Sequence, residues 1–331
     1  MTTATARHPA SDDGAIHPDA PRDPVPPSIH ARAPEQGRAP HVGPHDLAAM
    51  LGLPHPTDEQ AAVITAPLAP ALVVAGAGSG KTETMAARVV YLVANGLVRP
   101  DQVLGLTFTR KAATSLAVRI RTRLRALESA GLPMAVSAES AQHGCDSGAE
   151  PTVSTYHSFA GRLIAEFGAL AGIGPKARVL SPTAAWQLAR HVVGHWDGDL
   201  DTDRTADRVT EDVLAIAGAL ADHLAGTADL DRELGSIVEE LRSAPPSPRQ
   251  RAPLHSGLVD ALRRLDERRS ILPLVAAFTE SKRTRAVVDF SDQMQLAAKL
   301  VLESDQIGTV LRERFPIVLL DEYQDTGHAQ R

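Results

Sequence analysis

Residues 71–96 read ALVVAGAGSGKTETMAARVVYLVANG, and the order of residue types in this stretch decides the fold. Ala71 to Ala75 have the length and apolar content of a buried strand. A turn of small residues follows, Gly76, Ala77, Gly78, Ser79 and Gly80. A long run with apolar residues at helical spacing then continues through Asn95. Strand, small-residue turn and helix in this order leave backbone N–H groups at the positive end of a helix, free to close around an anion. The usual form of such a loop is Gly, four residues, then Gly-Lys-Ser/Thr. Gly80-Lys81-Thr82 fits that form; Ala75 holds the first glycine position, and Gly76 and Gly78 supply the flexibility. Lys81 would reach the β- and γ-phosphates of a nucleotide, and Thr82 would ligate Mg²⁺ through its hydroxyl. Alone, the loop indicates a nucleotide phosphate and nothing finer.

The same grammar repeats outward. QVLGLTF (102–108) is a second strand before a helix from about 111 to 127, and TVST (152–155) a third before a helix through Phe167. PIVLLD (316–321) is a fourth. Strands alternating with helices, each strand apolar throughout, predict a parallel sheet covered on both faces. Between them, 172–285 reads almost wholly helical. Ser181-Pro182 has the form of an N-cap followed by Pro at the first helical position. TEDVLAIAGALADHLAG (210–226) predicts a helix ending at Gly226. The stretches 129–150 and 243–253 read as loops. The expected architecture is α/β: a nucleotide-binding domain over 45–171, a helical insertion over 172–285, and the domain continued over 286–331. Residues 1–44, rich in Pro, Ala, Asp and His without periodicity, are expected to be a disordered tail. His30, His41 and His45 lie in or beside it at spacings that suit no metal site.

The strand at 316–321 ends on Asp321, which aims a carboxylate at the crevice the Gly-rich turn occupies. A carboxylate there can hold Mg²⁺. Glu322 beside it could act as a general base that orients water for in-line attack on a γ-phosphate. A strand end with two solvated acids is the plainer reading of the pair taken alone. PTDEQ (56–60) stands shortly before the first strand. The Gln60 amide can donate and accept at once, which matches adenine N6 and N7; an exposed Gln at a helix start is the simpler alternative.

Composition bounds the partners. A net charge of −6 argues against a globally basic nucleic-acid coat but leaves room for a local basic groove. Cys145 is the single cysteine, so no internal disulfide forms, and a reducing cytoplasm is the expected setting. No apolar run reaches the roughly 18 residues of a membrane span, and no signal-peptide pattern opens the chain. The chain is therefore expected to be soluble, with no membrane partner.

PTDEQ, AGAGSGKT, LTFTRKAA, VSTYHSF, VVDFSDQ and VLLDEYQDT, in that order over about 56–326, resemble the UvrD/Rep-type superfamily 1A DNA helicases. GKTETMAARVVYLVANG and VLGLTFTRKAA are most similar to the AdnB subunit of actinobacterial helicase–nucleases. The resemblance implies a RecA-like P-loop domain with a helical insertion, and ATP- and Mg²⁺-driven 3′ to 5′ translocation on single-stranded DNA or a duplex with a 3′ single-stranded tail. It implies a role in DNA repair or recombination near the nucleoid, and a paralogous helicase–nuclease subunit as a partner. Carried over by position, Gln60 contacts adenine, Lys81 and Thr82 handle phosphate and metal, and Asp321 and Glu322 are metal ligand and base. Gln324 couples nucleotide to DNA, while Phe108, Arg110 and His157 face DNA, Phe108 by stacking on a base. Without the resemblance, Phe108 reads as a core aromatic and His157 as a capping or core histidine. The sequence departs from the pattern at Glu83, where Arg is common, and at Tyr156 and Tyr323, where Phe is common. The resemblance further implies that the motor is incomplete at the C-terminus and that the chain alone hydrolyses ATP poorly, because arginine fingers from a second domain are worth about 10³–10⁵ in rate.

Overall fold

The computed structural model describes residues 42–132, 150–171, 178–198, 200, 202–245 and 255–331. The tail expected over 1–44 lies outside the described residues up to 41, as do His30, His41 and Cys145. Its end is already ordered. The Val42 N–H donates to the Asn95 side chain at 3.0 Å, and Asn95 Nδ2 returns a bond to the Val42 carbonyl at 3.1 Å. Gly43 then caps helix α1 (Pro44–Met50).

Helix α2 (Asp58–Thr65) begins with a capping box in which Thr57 and Gln60 satisfy each other's N–H groups. Helix α3 (Lys81–Ala94) follows the Gly-rich loop. Strand β1 (Val103–Thr107), helix α4 (Arg110–Ser129), strand β2 (Thr152–Thr155) and helix α5 (Tyr156–Phe167) come next. After β3 (Arg178–Val179) the helical block runs α6 (Pro182–Gly194), α7 (Ala206–Asp222), α8 (Thr227–Ser243) and α9 (Ser256–Thr284). It closes on β4 (Val287–Val288), followed by α10 (Phe290–Glu303), α11 (Asp305–Arg314) and β5 (Ile317–Leu320).

The main sheet has the order β2-β1-β5 with both pairings parallel, as the strand–helix alternation predicts. All five residues of the central strand β1 are buried. Alternation along it sends Val103 to one side, among Val89, Val93, Leu116 and Ile120 of α3 and α4. Leu104 and Leu106 meet Tyr156 and Phe315 on the other. Helices therefore cover both faces, and burial of each Leu or Val side chain contributes about 1.5–3 kcal/mol. The helical block has its own core, built on Ala189, Val213, Ile271, Leu274 and Phe278.

The structure differs from the expected elements in three places. Ala71–Ala75, expected as the first strand, forms no strand and has no ladder partner among the described residues, and Leu72 and Val74 are 75% and 87% exposed. Branched apolar residues favour an extended backbone; pairing needs a neighbouring strand as well. The helix expected to end at Gly226 stops at Asp222. Leu224 then takes a left-handed conformation (φ 56°), and Gly226 is the N-cap of α8 rather than a C-terminal stop. Finally, β3 and β4 form a parallel two-residue pair that clasps the two ends of the helical block. Ser181 does cap α6, accepting from the Ala184 N–H at 3.2 Å with Pro182 behind it.

Candidate functional site

The Gly-rich loop is built by two left-handed glycines, Gly78 (φ 77°) and Gly80 (φ 82°). Gly80 also needs its missing Cβ, because one placed there would stand 2.9 Å from Gln60 Nε2. Added Cβ atoms at Gly76 and Gly78 would meet open space. Ser79 Oγ donates to the Gly76 carbonyl at 2.7 Å. Lys81 Nζ donates to the carbonyls of Ala75 and Gly76, both at 3.0 Å. The ammonium is thus folded over the loop, on carbonyl oxygens that phosphate oxygens can replace as acceptors. Ala75, Ala77 and Ser79 are exposed, and Thr82 is half-buried in the first turn of α3.

Gln60 is brought to this loop. Its Oε1 accepts from the Thr57 N–H at 3.0 Å and its Nε2 donates to the Ser79 carbonyl at 3.0 Å. Its amide therefore serves the helix cap and the loop at once. Glu83 forms ion pairs with Arg119, at 3.4 Å, and with the buried Arg123 of α4, at 2.5 Å, which pins α3 to α4.

Asp321 follows β5 directly, is 8% exposed, and donates its N–H to the Leu106 carbonyl at 2.9 Å. Burial and then the Glu322 carboxylate push its carboxyl above the usual range; a backbone hydrogen bond and Lys81 pull it back. The loop ammonium is thus near enough to act on this carboxylate, which stands at the carboxyl end of a parallel strand, the side on which such sheets bind ligands. Glu322 is exposed and left-handed at φ 52°, a rare conformation for a residue with a side chain. It starts a 3₁₀ turn over Tyr323–Asp325 and accepts from Gln324 Nε2.

The residues fit a nucleotide with Mg²⁺. The Thr82 hydroxyl and the Asp321 carboxylate are hard-oxygen donors of the kind this ion takes along with phosphate oxygens and water. Among the described residues no three His, Cys, Asp or Glu side chains make a metal site by themselves.

The three residues expected to face DNA lie at the same end of the sheet. Phe108 follows β1, half-buried, with its ring centroid 5.0 Å from that of Tyr156. Arg110 is exposed at the start of α4. His157 is half-buried, edge-on to Phe290 at 5.8 Å, and burial lowers its pKa. Sequence reasoning missed a buried ion cluster: Lys282 Nζ donates to Asp289 and Asp292, each at 2.7 Å, and stands 4.6 Å from the Phe278 ring centroid. Its one legible signal was Asp289-x-x-Asp292, the spacing of a capping box at the start of α10.

A parallel sheet, a Gly-rich loop at a helix N-terminus and a carboxylate at the carboxyl end of a strand define a RecA-like nucleotide-binding α/β protein. Residues 56–331 match the UvrD/REP helicase N-terminal domain, and the chain belongs to that helicase family. It is 29% identical over 280 residues to ATP-dependent DNA helicase UvrD2 of Mycobacterium tuberculosis (strain ATCC 25618 / H37Rv), covering 83% of this chain and 33% of that protein. It is 26% identical over 263 residues to UvrD1 of Mycobacterium leprae (strain TN), covering 79% and 27%. With PcrA of Leuconostoc citreum it shares 24% over 273 residues, covering 82% and 29%. The chain spans about a third of the length of these relatives or less. Among the described residues no single helix is long and apolar enough to cross a membrane.

Proposed function

We propose that this chain is the ATP-binding motor part of a DNA helicase that moves 3′ to 5′ on single-stranded DNA and opens duplexes with a 3′ single-stranded tail. The observation that carries the reading is the Gly-rich loop with Lys81 folded over it, together with Asp321 at the carboxyl end of the parallel strand β5, near enough for the ammonium to act on the carboxylate. Lys81 neutralises the β- and γ-phosphates, and the loop from Ala75 to Gly80 encloses them. Thr82 and Asp321 hold Mg²⁺, which when bound draws negative charge off the phosphoryl oxygens. Glu322 orients the attacking water, and Gln324, bonded to it, relays the state of the site toward DNA. Phe108 stacks on a base, Arg110 meets the backbone, and His157 lies beside them. Gln60 reads adenine by exchanging one of its present bonds. Residues 45–171 and 286–331 form the motor domain and 172–285 its insertion. The wording of the motifs supports a cytoplasmic helicase of DNA repair related to AdnB, working beside a paralogous helicase–nuclease subunit.

The test is titration of a fluorescent ATP analogue with Mg²⁺. Lys81→Ala is expected to weaken binding by at least about tenfold, the worth of one charge-assisted hydrogen bond. Glu322→Gln should bind as well as the unaltered chain or better, because it removes a negative charge beside the γ-phosphate and acts mainly on the chemical step. Equal losses in both variants would contradict the assigned roles.

A further inference from the structure

A cleft of about 510 Å³, open to solvent and within the size range of small-ligand sites, lies between α1, α2, α3 and α4. Leu51, Pro54 and Ile64 give it apolar walls, and Gln60, Glu83 and Arg123 bring polar and charged groups to it. It adjoins the Gly-rich loop, since a Cβ added at Gly80 would stand 2.9 Å from Gln60 Nε2 and 3.8 Å from Glu83 Cβ. Glu83 is the position at which the sequence departs from the family pattern. Its carboxylate is held by two arginines of α4, Arg123 at 2.5 Å and Arg119 at 3.4 Å. The side chain stays 46% exposed, so its oxygens keep lone pairs for a further donor. Arg123 is 9% exposed, and its Nη1 has no hydrogen-bond partner among the described residues. An acceptor with lone pairs to spare and a cation with an N–H to spare thus line one cleft beside the phosphate loop.

We propose that Glu83 is a specificity-determining residue: its carboxylate accepts a hydrogen bond from the exocyclic amine of the nucleobase, so that the site takes adenine and rejects guanine. The inference rests on the nucleotide-site reading above and adds a second reader of the base to Gln60. Adenine carries an amine where guanine carries an oxygen acceptor. A carboxylate only accepts, so it gains a charge-assisted bond from the amine and sets lone pair against lone pair at the guanine oxygen. The amine has two N–H groups, one for Gln60 and one for Glu83. Arg119 and Arg123 hold the carboxylate in place and offset its charge, which would otherwise repel a triphosphate.

The test is competition of ATP, GTP and inorganic triphosphate, each with Mg²⁺, against the fluorescent analogue. In the unaltered chain GTP should bind at least about tenfold more weakly than ATP, the worth of one charge-assisted hydrogen bond. Equal binding of the two overturns the inference without any variant. Glu83→Gln keeps the shape of the side chain but can turn an N–H toward the guanine oxygen. It should cut the preference for ATP over GTP about tenfold, while inorganic triphosphate, which has no base, competes as before. A role confined to pinning α3 to α4 would weaken all three competitors alike. An unchanged preference in Glu83→Gln, whether the three bind as before or all more weakly, leaves the base to Gln60 and overturns the inference alone. If neither ATP nor inorganic triphosphate binds the unaltered chain, the nucleotide-site reading fails and this inference with it.

Discussion

At the scale of single residues the site is assembled from backbone conformations that few side chains tolerate. Gly78 and Gly80 turn the loop through left-handed angles, and Glu322 adopts one despite its side chain. Such positions cost about 1–2 kcal/mol for a residue with a Cβ, so the surrounding structure must enforce them. At Glu322 the enforcement comes from Asp321, anchored to Leu106, and from the 3₁₀ turn that follows. His157 carries another kind of cost. Burial lowers its pKa, so the folded protein binds its proton less readily than the unfolded chain, whose histidines titrate near about 6.5. Its contribution to stability is therefore full above about pH 6.5 and is lost as pH falls toward the folded-state value. Melting curves between pH 8 and pH 5 should show a shallower loss for His157→Gln than for the unaltered chain; parallel losses would show that its surroundings do not penalise the charge.

At the scale of elements, the junction between the helical block and the sheet is held by charge inside an apolar setting. Lys282 of α9 is 4% exposed and donates to both carboxylates that cap α10. Burial raises the Asp292 pKa, with Asp289 adding to it, while Lys282 opposes both. Removing one partner of such a cluster strands the rest, so Lys282→Met should destabilise the fold by about 3–5 kcal/mol. Adding Asp289→Asn and Asp292→Asn should recover part of that loss, since Asn still caps a helix. Denaturant unfolding of the single and triple variants measures both; a single variant as stable as the parent would show that the junction does not depend on the cluster. The cluster was not legible in the sequence, because Lys282 gives no local sign of burial. The strands 103–107, 152–155 and 317–320 were legible, being apolar runs between turns, and so was the Gly-rich loop. Ala71–Ala75 misled for a related reason: periodicity reports what a segment can bury, and Leu72 and Val74 stand exposed. The β3–β4 pair lies beyond reach of periodicity, since two residues carry no period. The proposed roles of Lys81, Asp321 and Glu322 rest on their places at a loop and a strand end, which the sequence itself displays.

At the scale of the whole molecule, the position of β5 matters most. It is the outer strand of the β2-β1-β5 sheet, so one row of its N–H and C=O groups has no strand beside it among the described residues. Val318 and Leu320, on the side of the strand away from Ile317 and Leu319, are 49% and 39% exposed. Natural edge strands are usually blunted by Lys, Pro or a bulge, and Ile317–Leu320 carries none of these. The unpaired segment Ala71–Ala75 before the Gly-rich loop adds exposed Leu72, Val73 and Val74 at 75%, 47% and 87%. Apolar surface of this kind beside an open edge favours pairing with another strand, and in a solution of this chain alone the abundant partner is a second copy. The 331-residue chain should therefore self-associate as its concentration rises. Val318→Lys should shift it toward monomer, because two lysines cannot face each other across a shared edge without repulsion and their ammonium groups stay in water. The substitution lies on an exposed position, so its effect on the melting midpoint should be small by comparison. Sedimentation velocity across a hundredfold range of concentration separates the outcomes. A shift toward monomer confined to Val318→Lys assigns association to the edge of β5, whereas a monomeric parent at every concentration would show that a four-residue edge is too short to template pairing.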